Sequence, residues 1–413
     1  MNMNDSTLVE LSRPRPRPGW LARLARTLVH TQMGGLRDGR LVLHEPGGEF
    51  AFGSPAGEVE IHVMVDDPAF YVELAFGGSV GAGESYMLGH WRTNDLTALM
   101  RFLLRNRAAA DAMESGFALL SAPLRTAAHW LHRNTRAGSR RNISAHYDLG
   151  NDFFRLFLDP TLMYSCALFE NPEMTLAEAS TAKLEAVCRK LQLGPQDHVM
   201  EIGSGWGGFA LHAAGRFGCR VTTTTISPNQ HALALERIRA AGLQDRVTVL
   251  LKDYRDLSGT YDKIVSIEMI EAVGHQYYGE FFRCCAERLA PGGIMLLQAI
   301  TITERRYEQA RREVDFIKRY IFPGCCIPSV SALAKAVSDS GHLDIVSLHD
   351  IGPHYATTLA HWRRNFLSNL EGVRQLGLPE SFIRMWEFYL CYCEAGFAER
   401  ALYDVHILLE RTN

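Results

Sequence analysis

The sequence predicts an α/β protein with a doubly wound, mostly parallel sheet, preceded by a smaller N-terminal α+β domain. Residues 199–208 (VMEIGSGWGG) pass from a short apolar run into a glycine-rich turn and then into a helical pattern. Strand-like and helix-like segments then alternate to about residue 299, which is typical of a parallel sheet covered by helices on both faces. At 413 residues the chain is long for one domain and suits two.

The composition is that of an ordinary globular protein, with 47% hydrophobic residues, 22% charged residues and a formal net charge of -3. This charge balance gives no general reason to expect nucleic acid as a partner. The nine cysteines show no C-x-x-C spacing, so we expect no metal site and reduced, cytoplasmic thiols. The sequence contains neither a secretory signal pattern nor an apolar run long enough for a transmembrane helix.

The chain begins with a predicted disordered tail, residues 1–19, in which Arg-Pro repeats exclude a helix. Residues 20–120 form the predicted N-terminal domain, for which we expect a role in lipid interaction. Its predicted elements are helices over Trp20–Thr31 and Asp95–Asn106 and strands over Gly39–Phe52, Val59–Val65 and Ala69–Ala75.

Residues 121–145 form a predicted basic linker, because no acidic residue occurs between Glu114 and Asp148. The arginines of this stretch are Arg125, Arg133, Arg136, Arg140 and Arg141. A solvated connection is the simpler interpretation, and contact with anionic phospholipid is the alternative. The charged insertion 301–322 has the same two interpretations, a solvated surface helix or a membrane-docking segment.

The predicted catalytic domain covers residues 146–413. Its expected strands are Val199–Ile202, Arg220–Ile226, Val247–Leu251, Lys263–Ile267, Ile294–Ala299 and Tyr403–Leu409. Its expected helices are Gly208–Phe217, Gln230–Ala241, Tyr277–Leu289, 355–370 and 379–399.

The glycine turn predicts a nucleotide-type ligand, because Gly203 and Gly205 allow the backbone to approach it closely. Two features favour S-adenosylmethionine (SAM) over NAD. Glu201 precedes the first glycine, where a carboxylate can meet the amino group of SAM. The second strand is followed by Gln230 rather than by an acid that would bind an NAD ribose. A tight structural turn in another α/β domain is the alternative.

Three further stretches carry candidate chemistry. The turn YSCA (164–167) offers a hydroxyl, a thiol and backbone donors suited to an anion or to the methionine end of SAM. After the third strand, Tyr254 could stack on adenine, whereas Asp253 could instead cap the next helix. After the fourth strand, Glu268 and Glu271 lie among apolar residues, where a carboxylate needs a partner or a proton.

Seven motifs occur in an order that resembles the cyclopropane-fatty-acyl-phospholipid synthases and the mycolic acid cyclopropane synthases. They are YSCA (164–167), EIGSGWGG (201–208), TISPNQ (225–230), DYRDL (253–257), EAVG (271–274), KRYIFPG (318–324) and HYATTLAHW (354–362). The similarity runs from His146 onward, and GESYMLGHW (83–91) resembles the N-terminal domain of the phospholipid enzymes. The resemblance implies a class I SAM-dependent methyltransferase that adds a methylene group to the cis double bond of phospholipid acyl chains. It also implies bound bicarbonate as the base and a peripheral location at the inner face of the cell membrane.

Site residues follow from the resemblance by position. The SAM contacts are Tyr164, Ser165, Gly203, Gly205, Thr225, Ile226, Gln230, Tyr254 and Arg255. The bicarbonate contacts are Cys166, Glu271, Ile300 and Tyr355. Cys393 matches a cysteine once suspected as a nucleophile; packing is the favoured interpretation, because the chemistry needs no enzyme nucleophile.

Two departures from the family pattern affect the expected product. Ala272 follows Glu271 where a histidine is common, and Gln298 stands where a histidine contacts bicarbonate. A glutamine can donate a hydrogen bond but cannot titrate. Cyclopropane therefore remains the favoured product, with a methyl-branched or hydroxylated lipid or another small molecule as alternatives. A non-catalytic lipid-binding protein is the rival outside enzymes, and whether the chain forms a homodimer is left open.

Overall fold

The computed structural model describes residues 19–54, 59–108, 111 and 149–412. The predicted tail, apart from its last residue, and the whole predicted basic linker lie outside the described residues. The chain divides into two compact units, Met1–Asp95 with Asn106–Leu119, and Leu96–Arg105 with Leu120–Asn413.

The smaller unit is built on a four-stranded sheet with the strand order β2-β1-β3-β4. Its elements are α1 (Trp20–Met33), β1 (Arg40–Glu45), β2 (Gly48–Gly53), β3 (Glu60–Val65), α2 (Ala69–Met87) and β4 (Trp91–Thr93). Strands β1 and β3 are parallel, whereas the other two pairs are antiparallel. The predicted single strand over Gly39–Phe52 is therefore a hairpin of two strands.

The prediction of a strand over Ala69–Ala75 was wrong, because this segment begins helix α2. The Asp67 carboxylate accepts a hydrogen bond of 2.8 Å from the Ala69 backbone N–H and so satisfies one of the first donors of the helix. Phe70 and Tyr71 are both buried, although aromatic residues on adjacent positions of a strand would point to opposite faces. The hydrogen bond at the helix start therefore outweighs the preference of aromatic and β-branched residues for strands.

The larger unit contains most of the remaining chain. Its first part comprises α3 (Leu96–Arg105), α4 (Asn151–Arg155), α5 (Leu176–Lys190), β5 (His198–Ile202), α6 (Gly208–His212), β6 (Arg220–Thr225), α7 (Pro228–Ala240), β7 (Val247–Leu251), β8 (Tyr261–Ile267), α8 (Tyr278–Arg288) and β9 (Leu289–Ile302). Its second part comprises α9 (Glu304–Ala310), α10 (Val330–Ser340), β10 (Leu343–Asp350), α11 (Gly352–Ser368), α12 (Leu370–Gln375), α13 (Glu380–Ala398) and β11 (Leu402–Arg411).

The sheet of the larger unit has seven strands in the order β10-β11-β9-β8-β5-β6-β7. Strands β5 to β9 pair in parallel, and β11 runs antiparallel to both β9 and β10. The predicted strands are confirmed; β10, an edge strand with mostly exposed side chains, was not predicted. The strand order reverses between β5 and β8, and ligands of such sheets bind outside the carboxyl ends of the strands at that point.

Helices cover both faces of this sheet, as the buried side chains of β8 show. Ile264 belongs to an apolar cluster with Phe281 of α8 and Leu333 of α10. Its neighbour Val265 belongs to a second cluster, on the opposite face, with residues such as Phe209 of α6. Because successive residues of a strand point to opposite faces, the two clusters form the two hydrophobic layers of a doubly wound fold. The predicted fold class is confirmed.

The charged insertion 301–322 is partly packed into the larger unit. Phe316 and Ile321 are buried, and the Phe316 ring lies 4.6 Å from the Phe388 ring of α13. Arg311 and Arg312 pair with Glu308 at the surface. The exposed charges therefore fit the interpretation as a solvated face, while two of the apolar side chains are used for packing. In the described ranges, no helix is both long and apolar enough to cross a membrane.

Candidate active site

The glycine turn after β5 lies at the point where the strand order reverses. The backbone N–H groups of Gly203 and Ser204 donate to the Thr224 carbonyl at 3.1 and 2.9 Å, which ties the turn to β6. Gly205 has a φ of +48°, and no described atom lies within 4 Å of where its Cβ would stand. A Cβ on Gly203 would lie 3.2 Å from Cγ of Met269, in the loop after β8. The turn is therefore open on one side and packed against the β8 loop on the other.

Glu201, the last but one residue of β5, is buried, and its Oε2 has no hydrogen-bond partner among the described residues. Burial raises the pKa of Glu201 to about 8. A buried acid in this state is stabilised by a cationic or hydrogen-bond-donating partner. The ammonium group of SAM is such a partner, so Glu201 and the open side of the turn fit SAM.

Uncharged side chains form the hydrogen bonds at the carboxyl end of β6. Thr225 donates from Oγ1 to Oε1 of Gln230 at 2.9 Å, and Ser227 caps α7 by accepting from the Gln230 N–H at 3.3 Å. Ile226 is half-buried between them. The structure thus brings the three predicted SAM contacts of this strand end together at the same sheet edge as Gly203.

The stretch after β7 shows a different use of its charged residues. Asp253 accepts the Arg255 backbone N–H at 3.1 Å and binds the Arg255 guanidinium through two hydrogen bonds of 2.8 and 2.6 Å. The capping role left open for Asp253 is therefore confirmed. The Tyr254 ring packs edge-on against Phe281, with centroids 5.4 Å apart, and stays half-buried. Its stacking on adenine remains a prediction, as does the contact of Arg255 with SAM.

The YSCA turn lies against buried polar groups. The hydroxyl groups of Tyr164 and Tyr389 are 2.8 Å apart. Lys183 of α5, fully buried, donates from Nζ to Oγ of Ser165 at 2.8 Å. Burial raises the pKa of the Cys166 thiol well above its ordinary value, so the sulfur is a neutral thiol at neutral pH. The backbone of this turn, rather than its sulfur, is left to bind an anion.

The anion that this backbone contacts is Glu268, directly after β8. Its Oε1 accepts the Cys166 backbone N–H at 2.8 Å and Nε2 of Gln298 at 2.7 Å. Its Oε2 accepts the Tyr355 hydroxyl at 2.6 Å. Three of the residues predicted to surround bicarbonate therefore donate to the side chain of Glu268. The φ of Glu268 is +48°, which is uncommon for a residue other than glycine.

Glu271 lies in the same loop but has different partners. Its Oε1 accepts the Ile300 backbone N–H at 2.5 Å, and its Oε2 has no hydrogen-bond partner in the part of the chain that the structure describes. Burial, with the charge of Glu268, raises the pKa of Glu271 to about 8. The predicted bicarbonate set is therefore divided into two groups, Glu271 with Ile300, and Cys166, Gln298 and Tyr355 around Glu268.

Gln298 connects Glu268 to a longer polar chain. Its Nε2 also donates to Oδ2 of Asp404 at 2.8 Å. Its Oε1 lies 3.2 Å from Nε2 of His406, its partner across the β9–β11 pair, and Nδ1 of His406 lies 2.8 Å from Nζ of Lys190. An ammonium group only donates, so Nδ1 of His406 accepts and Nε2 carries the hydrogen. This tautomer fixes the Gln298 amide with its NH₂ group toward the two carboxyl groups.

The charge distribution of this centre follows from its contacts. Burial raises the pKa of both Glu268 and Asp404, and the charge of Glu268 raises that of Asp404 further. Because the hydrogen bonds from Tyr355 and Cys166 favour the ionised form of Glu268, we assign the negative charge to Glu268 and a proton to Asp404. Burial lowers the pKa of Lys183, and the negative charge of Glu268 opposes this effect.

Cys393 of α13 is separate from this chain of contacts. Burial raises the pKa of its thiol, and the nearby charge of Asp315 has the same effect. A thiol in such surroundings is a poor nucleophile, because the thiolate is the reactive form. This supports the packing interpretation of Cys393.

Sequence reasoning missed several members of the buried centre. Asp404 and His406 stand in the apolar strand YDVHILL, where alternating polar residues on one face were an available signal. Lys183 and Lys190 carry no such signal, because lysines are common on amphipathic helices. Glu268 stands out in the sequence as a carboxylate in an apolar stretch, but its partners in the Cys166 turn, β9 and α11 are far away in the sequence.

Fold and site together define the class. A doubly wound sheet with a glycine turn after β5, a buried acid before that turn and an open Gly205 is a class I SAM-dependent methyltransferase. Residues 134–407 match the mycolic acid cyclopropane synthetase family. The chain therefore belongs to this family, and it is a SAM-dependent enzyme of lipid metabolism.

Named relatives agree with this assignment. The chain is 39% identical over 338 residues to the tuberculostearic acid methyltransferase UfaA1 of Mycobacterium tuberculosis, covering 78% of this chain and 76% of the relative. It is 36% identical over 358 residues to the cyclopropane-fatty-acyl-phospholipid synthase of Escherichia coli, covering 86% and 89%. The crystal structure of mycolic acid cyclopropane synthase CmaA1 with SAH and CTAB superposes with a TM-score of 0.62 at 31% identity, covering 66% of this chain and 98% of that one.

Proposed function

We propose that the protein transfers a one-carbon unit from SAM to the cis double bond of an unsaturated acyl chain in a phospholipid. The observation that carries the proposal is the position of the carboxylate centre. Glu268 directly precedes Met269 in the chain, and the Met269 side chain packs against Gly203 of the cofactor turn. An anionic group next to the methyl donor is what an alkene substrate requires, because it becomes a carbocation during the transfer.

The residues of the site supply what this chemistry needs. Bound SAM provides an electrophilic methyl group, and Glu201, Gly203 and Gly205 are the residues that would hold it. The carboxylate of Glu268 stabilises positive charge on the lipid. Exclusion of water is equally important, because water would trap the cation as an alcohol.

Aromatic rings near the Cys166 turn and Glu268 would also stabilise a carbocation on the lipid. The Tyr164 and Trp362 rings lie 5.2 Å apart, and Tyr355 stacks on Phe397 at 4.3 Å. The face of an aromatic ring attracts a cation with about 0.5–2 kcal/mol.

The product depends on which proton leaves the cation. Loss from the new methyl group closes a cyclopropane ring, whereas loss from a neighbouring carbon leaves a methylated or methylene-bearing chain. The relatives carry names of both kinds, a cyclopropane-fatty-acyl-phospholipid synthase and a tuberculostearic acid methyltransferase. We propose cyclopropane as the main product and a branched chain as the second candidate. The resemblance implies bicarbonate as the base that takes this proton.

The lipid is expected at a membrane surface, which the protein would reach from the cytoplasm as a peripheral enzyme. The basic stretch 121–145 is the candidate for contact with anionic headgroups. If this is its role, raising the salt concentration should weaken vesicle binding.

The test uses the full chain, SAM and vesicles of dioleoyl phosphatidylglycerol. We expect formation of SAH together with a lipid whose mass has increased by one CH₂ group. Vesicles of a fully saturated phosphatidylglycerol are the control, and free oleate shows whether the phospholipid form is required. NMR of the product distinguishes a cyclopropane ring from a methylated alkene. SAH formation that does not depend on the double bond would contradict the proposal.

A further inference from the structure

We propose that Glu268 is the base that removes the proton in this reaction, so that the chain's own carboxylate takes the role expected for bound bicarbonate. The inference rests on the proposed function, because it concerns the same site. It begins from the donors of that site. The Cys166 backbone N–H, the Gln298 amide and the Tyr355 hydroxyl all donate to Glu268, at 2.8, 2.7 and 2.6 Å.

The position of Glu268 is compatible with contact to the substrate. The residue lies at the carboxyl end of β8, where the strand order reverses, and its neighbour Met269 packs on the cofactor turn. Glu268 lies deep in the larger unit, yet part of its surface remains accessible, unlike that of Gln298 behind it. It therefore borders a space rather than packed protein.

The backbone supports a functional role. A left-handed φ at a residue with a long side chain is costly, of order 1–3 kcal/mol, and such residues are often found at active sites. Here the φ of +48° at Glu268 accompanies a side chain directed to the Cys166 turn and Tyr355. A glycine would satisfy the backbone alone, so the side chain provides the reason for the strain.

The surrounding contacts keep Glu268 ionised and ready to accept a proton. Oε1 accepts two hydrogen bonds and Oε2 accepts one, so Oε2 is the oxygen with more capacity left. Asp404 holds the proton of the carboxyl pair, and Lys183 provides a nearby positive charge. Lys190 and His406 fix the Gln298 amide, so that its NH₂ group faces Glu268.

The proton transfer balances without a further reactant. The alkene forms a carbon–carbon bond with the methyl group, the methyl–sulfur bond breaks, and SAH leaves with the electron pair. The cation on the neighbouring carbon then loses a proton from the added methyl group to Oε2 of Glu268. The electron pair of that C–H bond closes the ring, and the proton passes from Glu268 to solvent before the next turnover.

Glu271 is the alternative acid in the same loop. Its Oε1 is held by the Ile300 N–H, and burial together with the charge of Glu268 raises its pKa to about 8. Glu271 is therefore largely protonated at neutral pH. It also lacks a direct hydrogen bond to Cys166, Gln298 or Tyr355 in the described structure, whereas Glu268 contacts all three.

The experiment compares the wild type with Glu268→Gln and Glu268→Gly in degassed, bicarbonate-free buffer and in buffer with added bicarbonate. Wild-type turnover should not depend on bicarbonate. Glu268→Gln should lose turnover by about a hundredfold or more, the usual contribution of a general base. In Glu268→Gly the glycine relieves the backbone strain and leaves a carboxylate-sized space lined by the same donors. Bicarbonate should therefore restore part of its turnover and raise its melting temperature, but not that of the wild type.

Two controls keep the outcomes distinct. Glu287→Gln, a change at an exposed glutamate of α8, should behave as wild type. SAM affinity by calorimetry should be unchanged in both Glu268 variants, which shows that they are folded. Wild-type turnover that disappears without bicarbonate, or a Glu268→Gln variant with full turnover, would overturn the inference while leaving the proposed function intact. Absence of lipid product from the wild type in both buffers would instead reject the proposed function.

Discussion

The two halves of the candidate site each contain one central buried acid, Glu201 or Glu268, and the hydrogen bonding of these two acids is opposite. In the cofactor half, after β5, Glu201 has an oxygen without a partner among the described residues, and the space beside Gly205 is open. In the chemical half, after β8, both oxygens of Glu268 accept hydrogen bonds from the chain itself. The comparison indicates that a bound ligand completes the surroundings of Glu201, whereas the chain itself satisfies Glu268. In the second half, Oε2 of Glu271 and Oδ1 of Asp404 are the oxygens without a partner among the described residues.

Sheet topology explains the difference. Strands β5 and β6 are followed by turns and helix starts, which present backbone groups to a ligand. The β8 end is flanked by β9, and β11 pairs with β9 in antiparallel orientation. Strand β11 places Asp404 and His406 beside Gln298. The chemical half therefore receives polar partners from a strand that does not reach the cofactor half.

The largest expected effect is a loss of SAM affinity caused by a change in the cofactor half. Gly205→Val should place a side chain in the open space beside the turn and weaken SAM binding by about a hundredfold, which corresponds to ~3 kcal/mol. Calorimetric titration with SAM measures it. Gly242→Val is a matched control, because Gly242 also has a left-handed φ, of +67°, and an open Cβ direction, but it lies in the turn after α7.

If the two valine variants lose SAM affinity equally, backbone strain rather than contact with the ligand is responsible. Unchanged SAM affinity in a folded Gly205→Val variant would remove the assignment of the turn to the cofactor. The comparison between the halves would then fail, since the open space would have no ligand.

A second prediction concerns the proton that Glu201 should release when SAM binds. Its pKa is raised to about 8, so without ligand it is mostly protonated at pH 7. The positive charge of SAM favours the ionised form, so binding should release a proton below pH 8, and affinity should rise with pH toward that value. Glu201→Gln should abolish this release and weaken binding by about tenfold or more, because a charge-assisted hydrogen bond is lost.

Calorimetry at pH 7 in two buffers of different ionisation enthalpy measures the protons released. Glu201→Gln serves as the reference, since it removes only the contribution of this carboxyl and leaves that of the SAM amino group. Equal proton release by the wild type and the variant would show that Glu201 does not respond to SAM.

The sequence allowed prediction of the cofactor half more fully than of the chemical half, for a physical reason. The glycines, Glu201 and the TISPNQ turn are local signals, each within a few residues of one strand end. The chemical half joins Cys166, Glu268, Gln298 and Asp404, which come from four distant parts of the chain. Periodicity and motif spacing do not report such long-range contacts, so the sequence identified the acids without their partners.

The small unit shows the same limit for the fold. The strand predicted over Ala69–Ala75 has aromatic and β-branched residues, and yet it forms the start of α2. The hydrogen bond from the Ala69 N–H to Asp67 was the local signal that decided against a strand. In the larger unit, the apolar residues of β10 alternate only over three positions at a time, because the pattern shifts by one residue at a bulge between Ile345 and Ser347. Such short alternation does not mark a strand clearly in the sequence.

The smallest expected effect concerns the residues that orient Gln298 without contacting the reacting atoms. Burial lowers the pKa of His406 well below its ordinary value, so it is neutral and donates from Nε2 to Gln298. His406→Phe removes this donor and allows the amide to turn its oxygen toward Glu268 and Asp404. Glu268 then loses a hydrogen bond that favours its ionised form, so its pKa should rise.

The sign of the pH effect follows from the proposed role of Glu268 as a base, because it acts only when ionised. A higher pKa moves the acidic limb of the pH–rate profile to higher pH, so turnover should fall on that limb and approach the wild-type level at alkaline pH. The other titratable groups around Glu268 are unchanged in this variant; they are Asp404, Glu271, Tyr355, Lys183 and Cys166. Lys190→Met should shift the profile in the same direction, because Lys190 fixes the His406 tautomer, while the exposed Lys335→Met should not. If His406→Phe lowers turnover equally at all pH values, its role is structural packing, and the chemical half does not depend on the orientation of Gln298.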